Sequence, residues 1–162
     1  MNKLIDADLF QQLYLTAEKN PRKRSHHNLH PELSDPVQRL CIGLEPGTYV
    51  RPHRHPESYK WEMMLILSGS ITLLLFDDKG GVTQRITLSE HGPTKGIELP
   101  PNTWHTVFPA NNDRAVTMEI KQGPYTPTAP ESFADWAPEE GGNNVARFLS
   151  WAEEADVGDR FD

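Results

Sequence analysis

Apolar residues occur along this chain in many short runs separated by turn-forming residues. Fourteen prolines and eleven glycines punctuate the runs, and this punctuation favours strands and turns over a helical bundle. Because no helical pattern intervenes, eight short strands predict an all-β fold closed as a jelly-roll barrel. The predicted strands are 37–44, 49–55, 62–67, 71–76, 82–88, 96–99, 105–108 and 115–121.

Two segments outside the strands have helical spacing. Residues 6–19 carry apolar side chains on one face, with Asp6 or Asp8 to cap the start, and residues 143–154 predict a second, short helix. The polar segment 21–36 predicts an irregular arm over the barrel, and the last ten residues are predicted to fray.

The length predicts a single domain, 1–162. Within it, residues 1–35 form an N-terminal helix and arm, 36–122 the barrel, and 123–162 a C-terminal extension with a Pro-rich part and a helix.

The charge of the chain is concentrated at one end. Residues 131–162 hold nine acidic and two basic residues, which equals the net charge of −7 of the whole chain. The rest is neutral on balance, so nucleic acid is not an expected partner. A lone cysteine, Cys41, cannot form an internal disulfide and suits a cytoplasmic location. The sequence contains no signal-peptide pattern or membrane-spanning run.

Four side chains have the types and spacing of a metal site. His53 and His55 are two residues apart, so on a strand both imidazoles point to one face. Glu62 begins the next apolar run, and His105 follows a turn-rich segment. Three imidazoles and a carboxylate suit one divalent transition metal, and Fe, Mn, Zn, Ni, Co and Cu all remain open.

The spacing around these residues resembles the two motifs of the cupin superfamily. Gly47, five residues, His53-Arg54-His55, a gap of six, Glu62, six residues and Gly69 follow the first motif, apart from a longer gap. The segment 100–105, PPNTWH, follows the second with Asn102 in place of glycine. Asn is the residue that best tolerates positive φ after glycine. The resemblance implies a cupin double-stranded β-helix that holds a metal.

A closer resemblance covers most of the chain. It is similar to the WbuC family of cupin-fold metalloproteins, which is often linked to bacterial surface-polysaccharide (O-antigen) gene clusters. That resemblance implies a role in surface-polysaccharide metabolism. The similar stretches are 22–30, 35–40, 45–56, 60–62, 76–78, 98–105, 119–127 and 133–141.

Basic side chains near the motifs are candidates for binding a small, anionic molecule. Arg51 has the strand parity of His53, and Lys60 has that of Glu62 if the strand starts early enough. An equally weighted alternative pairs Arg51 with a core carboxylate such as Glu98 or Glu119. Further candidates lie on the arm, namely Arg24, His27 and His30. The histidines His26, His27, His30 and His91 all lack the register of the metal motif, but His27 or His30 could line the pocket from the arm.

The sequence leaves open whether the protein is an enzyme. A metal-dependent isomerase, epimerase or dioxygenase and a non-catalytic binding or regulatory module are both compatible with a cupin site. A general acid or base near the metal favours an enzyme, and its candidates are Tyr49, Lys60, Glu98 and Glu119. We also expect a homodimer, associating through the N-terminal helix or the strand 37–44.

Overall fold

The computed structural model describes residues 2–162, and in this range it has eight strands and two α-helices. A 3-10 turn at Pro130–Ser132 precedes the second helix. The elements in chain order are α1 (Ala7–Lys19), β1 (Arg24–Asn28), β2 (Val37–Leu44), β3 (Glu62–Ser68), β4 (Ser70–Phe76), β5 (Val82–Ser89), β6 (Gly96–Leu99), β7 (Trp104–Pro109), β8 (Ala115–Gln122) and α2 (Val145–Glu154).

The strands form two antiparallel sheets that face each other, as predicted for a jelly roll. The large sheet has the order β1-β2-β8-β3-β6, and the small sheet has the order β5-β4-β7. Strand β2 lies between β1 and β8, so both of its edges are paired. It therefore offers no free edge for the predicted dimer, and that dimer stays a prediction.

Three apolar clusters hold the sheets and helices together. The first lies between the sheets, where Ile71 and Leu73 of the small sheet pack with Leu44 and Met64 of the large one. The second lies beneath α1 on the outer face of the large sheet and includes Leu13. The third lies outside the small sheet and contains Leu74, Phe76, Trp104 and Phe148. Burial of these side chains removes apolar surface from water on both faces of the small sheet.

The N-terminal region is more regular than predicted. Helix α1 begins after Asp6, whose carboxylate accepts the Leu9 N–H at 3.1 Å, as a cap should. The irregular arm was the wrong interpretation for residues 24–28, because they form β1 and pair with β2. This segment, RSHHN, has no apolar run. Its strand forms because the edge of β2 supplies backbone partners, which sequence periodicity does not register.

The predicted strand 49–55 is replaced by an extended segment without a regular ladder. Its sheet-like contacts are two isolated bridges of His53, one with His105 and one with Phe133. Pro52 and Pro56 have no backbone N–H, so the segment lacks donors that a ladder needs. The Pro52 carbonyl accepts the N–H of Ala134 instead. The segment is therefore held by the C-terminal extension.

The C-terminal end packs against the small sheet, and the predicted fraying is wrong. Helix α2 places Phe148 in the core, where its ring lies 5.1 Å from that of Phe161 and 5.4 Å from that of Tyr49. The Val82 N–H donates to the Asp159 carbonyl at 2.9 Å. Long-range aromatic packing thus orders a segment that is highly acidic in sequence.

Gly80 and Asn102 adopt positive φ in two turns. Asp77 and Gly81 close the hairpin between β4 and β5, with Gly80 at a φ of 80°. Asn102 has a φ of 65°, the conformation predicted for the position that is glycine in the second motif. No helix within residues 2–162 has the length and apolar character needed to cross a membrane.

Candidate metal centre and ligand cavity

The four predicted metal ligands lie together at one end of the barrel. The backbones of His53 and His105 exchange two hydrogen bonds of 3.0 Å, and their ring centroids are 4.4 Å apart. Glu62, the first residue of β3, places Oε2 at 3.4 Å from Nε2 of His55 and at 3.5 Å from Nε2 of His105. The group therefore joins the large sheet, the small sheet and the extended segment.

Backbone carbonyls orient two of the imidazoles. Nδ1 of His53 lies 3.0 Å from the Arg51 carbonyl, and Nδ1 of His105 lies 2.9 Å from the Thr103 carbonyl. Each Nδ1–H donates to its carbonyl, so the lone pair is on Nε2, as in many histidine metal ligands. Burial lowers the pKa of His53 to about 3 and lowers the pKa of His105. Both rings are therefore neutral at pH 7.

The carboxylate of the group is ionised despite its burial. Burial raises the pKa of Glu62, but the neighbouring His55 and His105 and the Lys121 ammonium lower it more. The pKa of Glu62 consequently lies well below its usual value. A buried anion beside neutral imidazoles is an environment that a divalent cation would stabilise.

The donor atoms fit a metal in chemistry and approximate spacing. Nε2 of His55, Nε2 of His105 and Oε2 of Glu62 are buried without a hydrogen-bond partner. Two ligands of a tetrahedral ion at about 2.0–2.1 Å are separated by about 3.3–3.4 Å, close to the observed 3.4 and 3.5 Å. Within residues 2–162 no group of three or more His, Cys, Asp or Glu side chains has the geometry to hold a metal ion. The fit therefore rests on the unpaired atoms.

A cavity of about 530 Å³ extends from this group through the barrel. Its wall is largely the inner face of the large sheet, and it carries both acidic and basic side chains. The polar and charged side chains along it include Arg22, Arg24, His26, Asn28, His30, Gln38, Arg51, His53, Glu62, Thr117, Glu119, Lys121, Tyr125 and Glu140.

Glu119 and Lys121 form an ion pair next to the metal group. Lys121 Nζ lies 2.5 Å from Glu119 Oε1, and Lys121 is opposite Glu62 in the sheet register. Burial and the nearby charge of Glu62 raise the pKa of Glu119 to about 7. Glu119 was a candidate from the sequence, and Lys121 was not. In β8, Thr117, Glu119 and Lys121 all face the cavity, and this alternation was the available signal.

The two arginines selected from sequence both line the cavity, with unpredicted partners. The Arg51 guanidinium donates to the Ala134 carbonyl at 2.7 and 3.2 Å and lies 5.6 Å from the Phe133 ring centroid. It therefore pairs with neither Glu98 nor Glu119 as the alternative proposed. Arg24 is buried, and its Nη1 donates to the Tyr49 carbonyl at 2.7 Å.

The three arm histidines have different environments. His30 is buried in the cavity wall; its Nδ1 accepts the Arg39 N–H at 3.0 Å, and its Nε2 has no hydrogen-bond partner. His26, which the sequence analysis set aside, also lines the cavity. His27 is exposed and is not part of the cavity wall. Strand β1 explains this alternation, because neighbouring residues point to opposite faces.

The remaining candidates lie outside the main cavity. Tyr49 is buried against Phe148, and its hydroxyl donates to the Pro138 carbonyl at 2.6 Å. Glu98 is exposed on β6. Lys60 precedes β3, so its assumed strand parity with Glu62 does not hold. Its ammonium contacts Glu57 at 3.1 Å and the Thr126 hydroxyl, in a small pocket next to His55.

Comparison with known proteins establishes a family without an assigned activity. A family model described as a domain of unknown function, DUF6016, matches residues 5–88. This range is more than half of the chain and contains His53, His55 and Glu62. The chain belongs to the DUF6016 family. No curated protein matches it.

Two solved structures with TM-scores above 0.5 share the fold of this DUF6016 protein. TT1209 from Thermus thermophilus is 14% identical, with a TM-score of 0.54 over 75% of this chain and 97% of that one. An oxalate oxidase in complex with the substrate analogue glycolate is also 14% identical, with a TM-score of 0.52 over 66% of this chain and 54% of that one. A cupin superfamily protein from Desulfitobacterium hafniense is 20% identical, with a TM-score of 0.47 over 61% and 76% of the two chains. At these identities the likeness extends to the fold alone.

Proposed function

We propose that this protein binds one divalent transition metal through His53, His55, Glu62 and His105 and binds a small, oxygen-rich anionic molecule beside it. The observation that carries the proposal is the set of buried, unpaired Nε2 and Oε2 atoms, because buried polar atoms normally have partners. When bound, the metal would act as a Lewis acid toward an oxygen of the ligand. The donor set accepts Mn, Fe, Co, Ni, Cu or Zn.

The charges of the cavity support an anionic ligand. Arg51 is two residues from His53, and Lys121 is opposite Glu62 in the sheet, so positive groups flank the metal group on two sides. Charge-assisted hydrogen bonds to such groups favour carboxylate or phosphate oxygens. The polar wall also offers His30 Nε2, a buried nitrogen without a partner, to a hydroxyl group of the ligand. Sugar acids and sugar phosphates have these features.

Among activities, the cavity supports an enzyme over a passive binding module. Glu119 lies beside Glu62 in the cavity and has a pKa raised to about 7, so it can hold or release a proton near neutral pH. A proton-transferring carboxyl group suits an isomerase or epimerase acting on a sugar derivative. The resemblance to the WbuC family supports surface-polysaccharide metabolism as the setting.

Metal retention tests the proposed ligands. His53→Ala and His105→Ala each remove one of four ligands and should lower bound metal sharply, measured by elemental analysis of anaerobically purified protein. His27→Ala is the matched control, because His27 is exposed and lies outside the cavity. Stoichiometric metal in both quartet variants would contradict the assignment. Glu62→Gln should retain more metal than Glu62→Ala, since an amide oxygen coordinates weakly.

A ligand screen tests the anionic class. Calorimetry with sugar acids, sugar nucleotides and simple dicarboxylic acids should show weaker binding to Arg51→Met, by roughly tenfold or more for a lost charge-assisted hydrogen bond. Metal content should not change. Lys60→Met should lose less affinity than Arg51→Met, because Lys60 lies in the smaller pocket and already contacts Glu57. Binding of neutral compounds alone would remove the anionic hypothesis, and anion binding without turnover would favour a regulatory module.

A further inference from the structure

One end of the cavity holds a carboxylate between two arginines. Glu140 accepts hydrogen bonds of 2.8 Å from Nε and Nη2 of Arg22, and its Oε1 lies 2.8 Å from Nη2 of Arg24. All three residues line the cavity. Burial raises the pKa of Glu140, but the two guanidinium groups lower it more, so the carboxylate is ionised at neutral pH.

The Arg24 donors do not depend on Glu140 for their position. The Arg24 side chain is 9% exposed, and its Nη1 is held by the Tyr49 carbonyl at 2.7 Å. Tyr49 is itself fixed in the aromatic core against Phe148. If Glu140 moved away, Arg24 Nη2 would still face the cavity, and the exposed Arg22 side chain would be free to follow an incoming anion. Donors from two guanidinium groups are a common arrangement for phosphate or carboxylate recognition.

The segment that carries Glu140 is a turn between two fixed points. Before it, the Pro138 carbonyl accepts the Tyr49 hydroxyl at 2.6 Å; after it, α2 starts at Val145. Gly141 has a φ of 79°, and the Gly142 N–H closes the turn on the Glu139 carbonyl at 2.9 Å. A change of backbone conformation at Gly141 and Gly142 can therefore move Glu140 away from the two arginines. Neither α2 nor the segment before Pro138 has to move.

We propose that Arg22 and Arg24 form an anion subsite for a terminal phosphate or carboxylate of the ligand, and that Glu140 occupies this subsite in the free protein. The ligand anion displaces Glu140, which acts as an internal competitor and rejects neutral molecules of the same size. This inference rests on the proposed function in that the same ligand reaches the metal group. The subsite itself needs no metal.

Two variants that each remove one negative charge test whether Glu140 competes with the ligand anion. Glu140→Gln weakens the internal contact, whereas Glu139→Gln removes an equal charge from the adjacent exposed residue, which has no arginine contact. Binding of inorganic phosphate, glucose 1-phosphate, glucuronate and glucose is measured by calorimetry. We expect Glu140→Gln to bind the three anions several-fold to about tenfold more tightly, a modest gain because Glu140 is partly exposed. Glu139→Gln and the glucose results should match wild type.

Two further variants separate a binding role from a structural one. Arg22→Met, at a largely exposed residue, should reverse the gain in the Glu140→Gln background while the protein remains folded by circular dichroism. If Glu140 merely fastens the C-terminal extension, Glu140→Gln would lower the unfolding temperature and leave anion affinity unchanged. That result would overturn the proposal, as would equal phosphate binding by wild type, Glu140→Gln and Arg22→Met. Preference between glucose 1-phosphate and glucuronate identifies the natural anion class.

Failure of the metal proposal can be distinguished from failure of the subsite proposal. The Glu140→Gln comparison is repeated with chelator-treated protein and with Glu62→Ala, both of which lack the proposed metal site. A retained affinity gain in these samples, together with no metal in wild type, would contradict the proposed function alone. Metal bound by wild type but no gain from Glu140→Gln would contradict the subsite alone.

Discussion

The two sheets of the barrel face the same interior but present different chemistry to it. The small sheet turns Ile71, Leu73 and Leu75 inward, whereas the large sheet turns Glu62 and the ion pair Glu119–Lys121 inward. The outer face of the small sheet is equally apolar, because the C-terminal extension covers it. The small sheet therefore lines the interior with apolar side chains, and the large sheet supplies the charged wall of the cavity.

The metal group lies where these two walls meet. His105 belongs to the small sheet and Glu62 to the large one, with His53 bridged to His105. The apolar wall lowers the local polarity around the imidazoles, and the charged wall supplies the carboxylate. This division explains how one small barrel holds charged side chains at its centre without losing its core.

The small sheet should lose the most stability from a single truncation. Phe148→Ala removes a ring that is 1% exposed beneath this sheet and should cost about 3–5 kcal/mol of unfolding free energy. Chemical denaturation measures it. Val157→Ala, at a position 65% exposed, is the control and should change stability by less than about 0.5 kcal/mol. A loss below about 1 kcal/mol for Phe148→Ala would contradict the structural role of the C-terminal extension.

Metal binding should tie the two sheets together and raise stability. At a free metal concentration of about 100 times Kd, binding adds about 2.7 kcal/mol. For a chain of this size that corresponds to a rise of about 5–10 °C in Tm. Thermal unfolding with Mn, Fe, Co, Ni, Cu or Zn, before and after chelation, measures the rise. An equal rise in His105→Ala would show that the ion binds elsewhere.

A double-mutant cycle should measure the coupling free energy between Glu119 and Lys121 in the charged wall. Lys121→Met leaves Glu119 buried without its partner and should destabilise metal-free protein more than Lys121→Met combined with Glu119→Gln does. The coupling should be about 0.5–3 kcal/mol, measured by urea unfolding. Lys79→Met, at an exposed hairpin residue, serves as the control for charge loss. Additive effects would mean that the ion pair is energetically neutral.

The smallest effect concerns association. The outer edges of β1 and β6 have unpaired backbone groups, and edge pairing there would give a homodimer of twice 18.4 kDa, or 36.8 kDa. Because β1 is short and polar, this dimer should be weak and dissociate on dilution. Light scattering over a concentration series measures the mass. A mass near 18.4 kDa at every concentration would contradict the dimer.

Local patterns in the sequence determined strands β2 to β8 and the members of the candidate metal group, but neither β1 nor the irregular segment 49–55. The spacing from Gly47 to Gly69 and the segment 100–105 selected four side chains that do lie together. Asn102 was expected at positive φ because it stands where the second cupin motif has glycine, and its φ is 65°. These predictions succeed because strand alternation and turn conformation depend on residues only a few positions apart.

Only the tertiary structure decided which distant segments meet. The contact of Glu140 with Arg22 spans 118 positions, and Arg51 finds its acceptor in the Ala134 carbonyl, 83 positions away. Strand β1 exists because β2 offers an edge to it. Such pairings depend on the path of the whole chain and on backbone groups that every residue has, so neither spacing nor residue type encodes them.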